Sequence, residues 1–240
     1  MRIGIVDSGV GGLTTTRCVM QLVNAEYYYY MDNAHVPYGT KRQAELESIA
    51  RNTVCVMNSI GVDIIVVACN TLSAVVGEYM RSITDIPIVL TEPAIRMAHN
   101  SGGTTIVLAT PMTVSSKRFG RLINRYDDVI VKSSTTLATY VEENNMDKAK
   151  DELSVQLAGK KADNVVLGCT HYVYLKEYVE SLGYKVFEGN DGVARRTESI
   201  AIAQGTVCNN TAHSTLFLHA TSRYDYTRIA HYLGCPVMLY

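Results

Sequence analysis

The sequence carries no block of like charge and no long apolar run, and each absence excludes a class of protein. The net charge is −1, from 22 basic and 23 acidic residues, so neither nucleic acid nor an anionic membrane is an expected partner. The apolar runs are far shorter than the roughly 20 residues that a membrane helix needs. The first residues are typical of a strand and not of a signal peptide, and we therefore expect a cytoplasmic protein.

The cysteines lack the close pairing of a disulfide or metal motif. Six are scattered along the chain without a CxxC pair: Cys18, Cys55, Cys69, Cys169, Cys208 and Cys235. In a reducing compartment a cysteine is most often a small buried hydrophobic residue. That interpretation suits Cys18 and Cys55, which lie in helical patterns. Cys69 and Cys169 differ, because each directly follows a short, strand-like apolar run, IIVVA and VVLG respectively.

Short apolar runs alternate with helical patterns from end to end, and no repeat of solenoid period is present. The 240 residues, 47% of them apolar, suffice for one large domain or two compact ones. The alternation predicts an α/β fold with two similar lobes, each a mainly parallel sheet with helices on both faces. We expect the active site in the cleft between them. The predicted first lobe is residues 1–92 with 206–240, and the second is 93–205.

The individual elements are predicted from the same pattern. Gly61 is predicted to end the helix over Arg42–Ile60. The predicted strands are Arg2–Val6, Tyr27–Met31, Asp63–Ala68, Ile88–Leu90, Thr105–Ala109, Val129–Lys132, Asn164–Gly168, Lys185–Phe187 and Thr215–His219. The predicted helices are Leu13–Val23, Arg42–Ile60, one that begins at Thr71, Val114–Ile123, Lys148–Gly159, Tyr174–Leu182 and Tyr226–Leu233.

Reactive side chains follow three of the predicted strands. The three segments are Asp7-Ser8-Gly9, Cys69-Asn70-Thr71 and Cys169-Thr170-His171. Ligands of parallel sheets bind beyond the carboxyl ends of the strands. If the lobes face each other, Cys69 and Cys169 flank one small molecule.

Two thiols on opposite sides of a substrate suit the inversion of a carbon centre. A thiolate takes a proton from one face while a thiol returns one to the other, and neither a metal nor a cofactor is needed. Thiol pKa values near 8.5 fall at helix N-termini, which makes both forms accessible near neutral pH. Thr71 and Thr170 are expected to begin helices whose N–H groups hold a carboxylate. Asp7 and His171 are placed to orient or tune the thiols.

A nucleotide-binding module is the main alternative from another class. Gly9-Val10-Gly11 follows the first strand, and Asp32 ends the second, where a ribose-binding acid would lie. Thr14 replaces the third glycine of that motif, and Asp7 would place a carboxylate beside the pyrophosphate.

Other uses of the same residues remain open. A thiol hydrolase would pair one cysteine with His171, which leaves the other cysteine unexplained. A zinc site of Cys69, Cys169 and His171 lacks the usual close ligand pairs. A non-catalytic interaction protein on the same fold is a further alternative.

Several segments together resemble the glutamate racemases, within the cofactor-independent aspartate/glutamate racemase superfamily. ACNT and GCTH are specific when they occur together. The segments span most of the chain in the family's order: VDSGVGGLT at Val6–Thr14, DNAHVPYGT at Asp32–Thr40, VACNT at Val67–Thr71, ATPMTV at Ala109–Val114, LGCTHY at Leu167–Tyr172 and GVARR at Gly192–Arg196.

The resemblance implies a role for each matching residue. Cys69 and Cys169 would be the acid/base thiols, assisted by Asp7 and His171 respectively, and Glu142 would be a further catalytic acid. These groups, except Glu142, would also contact the substrate. The residues implied to hold its carboxylates and ammonium are Ser8, Pro37, Tyr38, Gly39, Asn70, Thr71, Thr113 and Thr170.

The resemblance further implies an amino-acid substrate, supply of D-glutamate for peptidoglycan synthesis, and no cofactor or metal. An aspartate racemase is the nearest alternative. The oligomeric state is open, with a homodimer as one option. The sequence departs from the family beside the site, at Leu72, Val173, Asn33 and His35. These departures bear on substrate preference and rate more than on the type of reaction.

Overall fold

Two parallel sheets form the centre of the protein. The computed structural model describes residues 1–159, 161–206, 215–222 and 226–239. Within these ranges the six-stranded sheet has the order β10-β9-β2-β1-β3-β4, and the four-stranded sheet has the order β6-β5-β7-β8. The strands are β1 (Arg2–Asp7), β2 (Glu26–Met31), β3 (Ile64–Val67), β4 (Ile88–Leu90), β5 (Thr105–Ala109), β6 (Val129–Ser133), β7 (Asn164–Gly168), β8 (Lys185–Phe187), β9 (Thr215–Ala220) and β10 (Val237–Leu239).

Helices connect the strands and cover the sheets. Two short 3-10 helices, Tyr38–Thr40 and Thr170–Leu175, follow β2 and β7. The α-helices are α1 (Gly12–Leu22), α2 (Gln43–Ile60), α3 (Asn70–Ser82), α4 (Ile95–Asn100), α5 (Pro111–Ser115), α6 (Lys117–Ile123), α7 (Leu137–Glu142), α8 (Met146–Leu157), α9 (Lys176–Ser181), α10 (Asn190–Ala203) and α11 (Tyr226–Leu233).

The central strand β1 is buried on both faces, which explains its continuous apolar sequence. Ile3 and Ile5 pack in a core with residues of α1 and α10. Val6 packs on the opposite face, in a core with residues of α2 and α3. Gly4 gives space on that face, because a Cβ there would lie 2.4 Å from Met57 Sδ. Helices therefore cover both faces, as the sequence predicts.

All nine predicted strands are confirmed, to within a residue or two at their ends. Gly61 ends α2 in the left-handed conformation, with φ at 72°, where glycine avoids a steric penalty. The predicted helix Val114–Ile123 is wrong as one element. Ser116 is extended there and caps α6 by accepting a hydrogen bond from the Phe119 N–H, which divides the segment into α5 and α6.

The sequence prediction missed α4, α7, α10 and β10, and Tyr174 lies in a 3-10 helix that precedes α9. The buried positions of α10 include Val193, Ala194, Thr197 and Ala201. Small and hydroxylated side chains give only a weak helical hydrophobic pattern, and this explains why the longest missed element was not recognised.

The position of α10 bears on the boundary between the lobes. Although it lies within residues 93–205, α10 packs on α1 and contributes to the core of the larger sheet. The chain passes from the larger sheet to the smaller one near Glu92, and it returns near Gly189, just before α10. These two crossings are in contact, because a Cβ on Gly189 would be 2.6 Å from the Glu92 carbonyl oxygen. We propose that the second lobe ends near residue 189. Part of the predicted 206–240 segment lies outside the described residues.

None of the helices in the described part of the chain is both long enough and apolar enough to span a membrane.

Candidate active site

Both strand-end cysteines lie at the N-terminal caps of helices. Cys69 precedes α3 and Cys169 precedes the 3-10 helix Thr170–Leu175. Their side chains are only 5% and 6% exposed. Helix α3 begins at Asn70, one residue before the predicted start at Thr71. The 3-10 helix after Cys169 begins at Thr170, as predicted.

Asp7 connects the ends of the two sheets. It is fully buried at the end of β1, where one carboxylate oxygen accepts a hydrogen bond from the Gly9 N–H at 2.9 Å. The other accepts one from Thr170 Oγ1 at 3.1 Å. Burial raises the pKa of Asp7 to about 6, although the charge of His171 and the Gly9 hydrogen bond act in the opposite direction.

The Cys69 thiol lies in surroundings that favour its protonated form. Burial raises its pKa well above the ordinary value, and the negative charge of Asp7 raises it further. Hydrogen bonds from the N–H groups of Leu72 and Thr71 lower it by less. The charge of Cys169 also raises the Cys69 pKa, so the two thiols are close enough to influence each other's ionisation.

Cys169 has a different kind of neighbour. His171 Nδ1 lies 3.9 Å from Cys169 Sγ, and His171 Nε2 lies 2.7 Å from Glu142 Oε2. Burial lowers the pKa of His171, but the hydrogen bonds with Cys169 and Glu142 raise it well above the usual value overall. The group beside Cys169 is thus an imidazole whose surroundings favour its protonated, positively charged form. The two cysteines therefore have opposite electrostatic surroundings.

Glu142, which the sequence placed only by resemblance, is held at the site from the first lobe. It also accepts a hydrogen bond from the Val10 N–H at 2.9 Å. Tyr29 Oη donates to the Gly9 carbonyl oxygen at 2.7 Å, and Tyr174 Oη donates to the Val10 carbonyl oxygen at 3.0 Å. The loop after β1 is thus fixed against the His171 side of the cleft.

The same loop does not fit a nucleotide. A Cβ on Gly9 would lie 2.1 Å from Glu142 Oε2, so a carboxylate already occupies the side of the glycine loop that a pyrophosphate would need. Asp32 is buried, and its carboxylate accepts a hydrogen bond from Tyr38 Oη instead of facing a ribose. The structure therefore argues against the nucleotide-binding alternative.

Two polar side chains in the cleft region have no protein partner among the described residues. Ser8 is 3% exposed and Asn70 is 5% exposed, and the hydrogen bonds of the described residues include none from either side chain. The fully enclosed polar side-chain atoms that lack a partner among the described residues belong to Thr53, Thr91 and Arg118, and not to Ser8 or Asn70. The side chains of Ser8 and Asn70 are therefore available to a ligand.

Three threonine hydroxyls join the first lobe to the second. Thr71 Oγ1 and Thr110 Oγ1 are 2.9 Å apart, and Thr110 Oγ1 is 2.9 Å from Thr113 Oγ1. Gly39 lies against them, because a Cβ there would be 2.6 Å from Thr110 Cβ. Thr110 was not among the predicted site residues. The signal was present, since Thr110 directly follows β5, at the same kind of strand end that identified the cysteines.

The four residues that depart from the family pattern make contacts within the protein. Leu72 is fully buried in the core of the larger sheet. Asn33 Oδ1 accepts a hydrogen bond from the Ser222 N–H at 2.9 Å, and His35 Nδ1 lies 2.8 Å from Asp32 Oδ1. Val173 lies half-buried in the 3-10 helix after Cys169.

Within the described ranges, histidine, cysteine and acidic side chains form no group of three or more that could hold a metal. The zinc alternative therefore has no support from this part of the chain.

We expect Asp7→Asn to stabilise the fold near neutral pH. An unfolded aspartate has a pKa of about 3.9, whereas the pKa of folded Asp7 is about 6. The folded state therefore binds this proton more tightly, so stability falls as pH rises between these values and the cost is complete above the folded pKa. Two pKa units correspond to about 3 kcal/mol, and losing one hydrogen bond costs about 1 kcal/mol. The expected net gain is about 2 kcal/mol.

Urea unfolding at about pH 7.5 and about pH 4 measures this effect, and the gain should be present only at the higher value. Asp63→Asn is the matched control, because the Asp63 carboxylate is exposed and accepts a hydrogen bond from the Arg2 N–H. Equal stabilities of wild type and Asp7→Asn at both pH values would show that the buried carboxylate carries no such cost.

Parallel sheets with reactive side chains at their strand ends define an α/β enzyme. The model of the Asp/Glu/Hydantoin racemase family matches residues 3–197, and the chain belongs to this family. Membership agrees with the resemblance found in the sequence. The family's two-lobed fold confirms the predicted fold class.

Individual relatives match over nearly the whole chain. Glutamate racemase of Halothermothrix orenii is 31% identical over 97% of this chain and 98% of its own. The crystal structure of glutamate racemase from Thermus thermophilus, in complex with β-chloro-D-alanine, has a TM-score of 0.83 and 29% identity over 100% of this chain and 95% of that one. That of the Escherichia coli glutamate racemase, with L-glutamate and the activator UDP-MurNAc-ala, has a TM-score of 0.82 and 26% identity over 99% and 97%.

Proposed function

We propose that this protein interconverts L-glutamate and D-glutamate by proton transfer at the α-carbon. The observation that carries the proposal is the pair of nearly buried thiols at equivalent strand ends, Cys69 and Cys169, each beside an ionisable group. One thiol beside a basic group would serve a nucleophilic hydrolase. Two thiols, one in surroundings that favour the protonated form and one beside a protonated histidine, supply an acid and a base together.

The proton balance follows from these surroundings. The Cys169 thiolate takes the α-proton of L-glutamate, and the Cys69 thiol gives its proton to the opposite face of the carbanion. The products are D-glutamate, a Cys169 thiol and a Cys69 thiolate. Reaction in the other direction starts from that second form, with Cys69 as the base. Asp7 and His171 orient and tune the two thiols, and Glu142 holds His171.

The remaining predicted residues hold the amino acid. Ser8 and Asn70 offer side chains without protein partners, and the N–H groups at the start of α3 suit a carboxylate. Confinement between buried walls keeps water from the carbanion. The set proposed to contact the substrate is Asp7, Ser8, Pro37, Tyr38, Gly39, Cys69, Asn70, Thr71, Thr113, Cys169, Thr170 and His171.

We propose glutamate and not aspartate as the substrate, because the relatives that match over nearly the whole chain are glutamate racemases. The E. coli relative was solved with UDP-MurNAc-ala, which supports a role in peptidoglycan precursor supply. We propose that the protein works in the cytoplasm, where such a precursor pathway would use its product. No cofactor is required, because the two thiols provide both proton-transfer groups.

The proposal predicts solvent hydrogen at the α-carbon of the product. Purified protein incubated with L-glutamate in deuterated water should give D-glutamate carrying one deuterium, because Cys69 delivers a proton that exchanges with solvent. Chiral chromatography with mass spectrometry measures inversion and exchange in one sample. L-aspartate in a parallel incubation tests the nearest alternative, and added chelator should leave the rate unchanged.

Inversion that retains the original α-hydrogen throughout would refute the two-thiol mechanism. Faster inversion of aspartate than of glutamate would replace the proposed substrate.

A further inference from the structure

Asp32 carries a buried carboxylate that the proposed reaction does not use. It directly follows β2 and is 2% exposed. A carboxylate removed from water costs free energy unless hydrogen bonds compensate for its hydration. The groups that bond to Asp32 therefore indicate why it lies at this position.

Three side chains converge on the Asp32 carboxylate. Tyr38 Oη donates to Oδ2 at 2.7 Å, and Thr221 Oγ1 donates to Oδ1 at 3.0 Å. His35 Nδ1 lies 2.8 Å from Oδ1. Thr221 also accepts a hydrogen bond from the Ala34 N–H at 3.0 Å. The carboxylate thus ties the loop that follows β2 to the residue that follows β9.

This loop carries three of the residues proposed to hold the substrate. Tyr38 is only 1% exposed, so its ring is enclosed and its hydroxyl end is fixed by Asp32. Gly39, the next residue, lies against Thr110, which bonds to Thr71. A hydrogen bond at the tip of Tyr38 therefore restricts the backbone that faces the threonine hydroxyls.

We propose that Asp32 is a positioning residue for substrate binding, which acts by holding Tyr38 and, with it, the segment from Pro37 to Gly39 beside Thr110. The inference rests on the proposed racemase function. The Asp32 carboxylate bonds to Tyr38, Thr221 and His35 and not to a proposed catalytic side chain of the described residues. Its backbone N–H donates to the Asp7 carbonyl oxygen at 3.1 Å, a bond that side-chain substitutions at Asp32 keep. Substrate affinity, and not the proton-transfer step, should depend on the carboxylate.

The test compares the kinetics of Asp32→Ala and Asp32→Asn with those of the wild type. Hydrogen bonds to a charged group are strong enough that Asp32→Ala should raise KM for both enantiomers by about tenfold or more, with kcat changed by less than about threefold. Asp32→Asn keeps the shape of the side chain and one acceptor oxygen, so its KM should lie between that of the wild type and that of Asp32→Ala. Tyr38→Phe should raise KM as well, and adding it to Asp32→Ala should change little, because both remove the same bond.

A second readout reports the loop directly. Hydrogen exchange at the amides of residues 34–41 should be faster in Asp32→Ala than in the wild type. Two variants control for lost hydrogen bonds elsewhere. Asp128→Asn disrupts another Asp–His pair, in which His99 Nδ1 lies 3.0 Å from Asp128 Oδ1. Tyr27→Phe removes another buried tyrosine hydroxyl, which donates to the Val23 carbonyl oxygen. Both should keep the wild-type KM.

The outcomes separate the inference from the function beneath it. An active wild type with normal KM in Asp32→Ala would overturn the inference and leave the racemase proposal intact. A loss of kcat and of folding stability with KM unchanged would make Asp32 a merely structural residue and would also overturn it. A KM rise shared by the controls would do the same. A wild type that interconverts no glutamate would remove the proposed function, and the inference with it.

Discussion

Cys69→Ala and Cys169→Ala are each expected to abolish racemisation in both directions. The group that is missing acts as the base in one direction and as the acid in the other, so neither direction can complete a cycle. General acid or base catalysis alone contributes about 10²- to 10⁴-fold, and losing it at either thiol should lower kcat below detection in an ordinary assay. Circular dichroism, which distinguishes L-glutamate from D-glutamate, measures the reaction in both directions.

Cys55→Ala and Cys18→Ala are the matched controls, because Cys55 is exposed and Cys18 lies at the edge of the larger sheet's core. Both should keep wild-type rates. Cys69→Ser and Cys169→Ser fill more of the thiol's space, so they separate a lost acid or base from a cavity. Near-normal racemisation by either alanine variant would refute the two-thiol mechanism.

The wild type should also show a pH optimum. Each direction needs one thiolate and one thiol, and neither the dithiol nor the dithiolate can complete a cycle. The negative charge of Cys169 raises the Cys69 pKa, so the second ionisation is harder than the first. The two limits of the pH profile therefore belong to the pair and not to either cysteine.

Gly11→Ala should have the next largest effect, a loss of about 100-fold in kcat/KM, the scale of a catalytic group displaced by about 1 Å. A Cβ at this position would lie 2.4 Å from Thr170 Oγ1, 2.6 Å from His171 Nδ1 and 2.8 Å from the His171 backbone nitrogen. The backbone nitrogen cannot rotate away, so the segment after Cys169 must move. The φ and ψ of Gly11, −55° and −42°, suit any residue, and only the lack of space requires glycine.

Gly120→Ala controls for the substitution itself. Gly120 lies within α6, and nothing is within 4 Å of its Cβ position, so alanine there should keep the activity and stabilise the helix by about 0.5–1 kcal/mol. Steady-state kinetics and thermal unfolding of the two variants give the comparison. Wild-type kcat/KM in Gly11→Ala would show that His171 does not need the position seen in the structure.

The sequence alone predicted most of the regular structure and the strand-end cysteines of the candidate site. The strand that ends at Val67 is a run of β-branched residues, and the strand that ends at Gly168 contains two valines and a leucine. Both strands are buried on both faces, and such a pattern is local. Because parallel strands place their carboxyl ends at one edge, the cysteines that follow could be assigned to a cleft before any packing was known. Helix α10 was not predicted, because its local hydrophobic pattern is weak.

The tertiary structure decided which distant groups meet. Glu142 joins His171 to Val10, a residue 132 positions away, and Thr110 joins Thr71 to Thr113. Asp32, a candidate ribose ligand in the sequence, instead accepts a hydrogen bond from Tyr38 Oη. Periodicity fixes which face of an element is buried, but it does not state which element packs against that face. These contacts, and the opposite electrostatic surroundings of the two thiols, arise only when both sheets are in place.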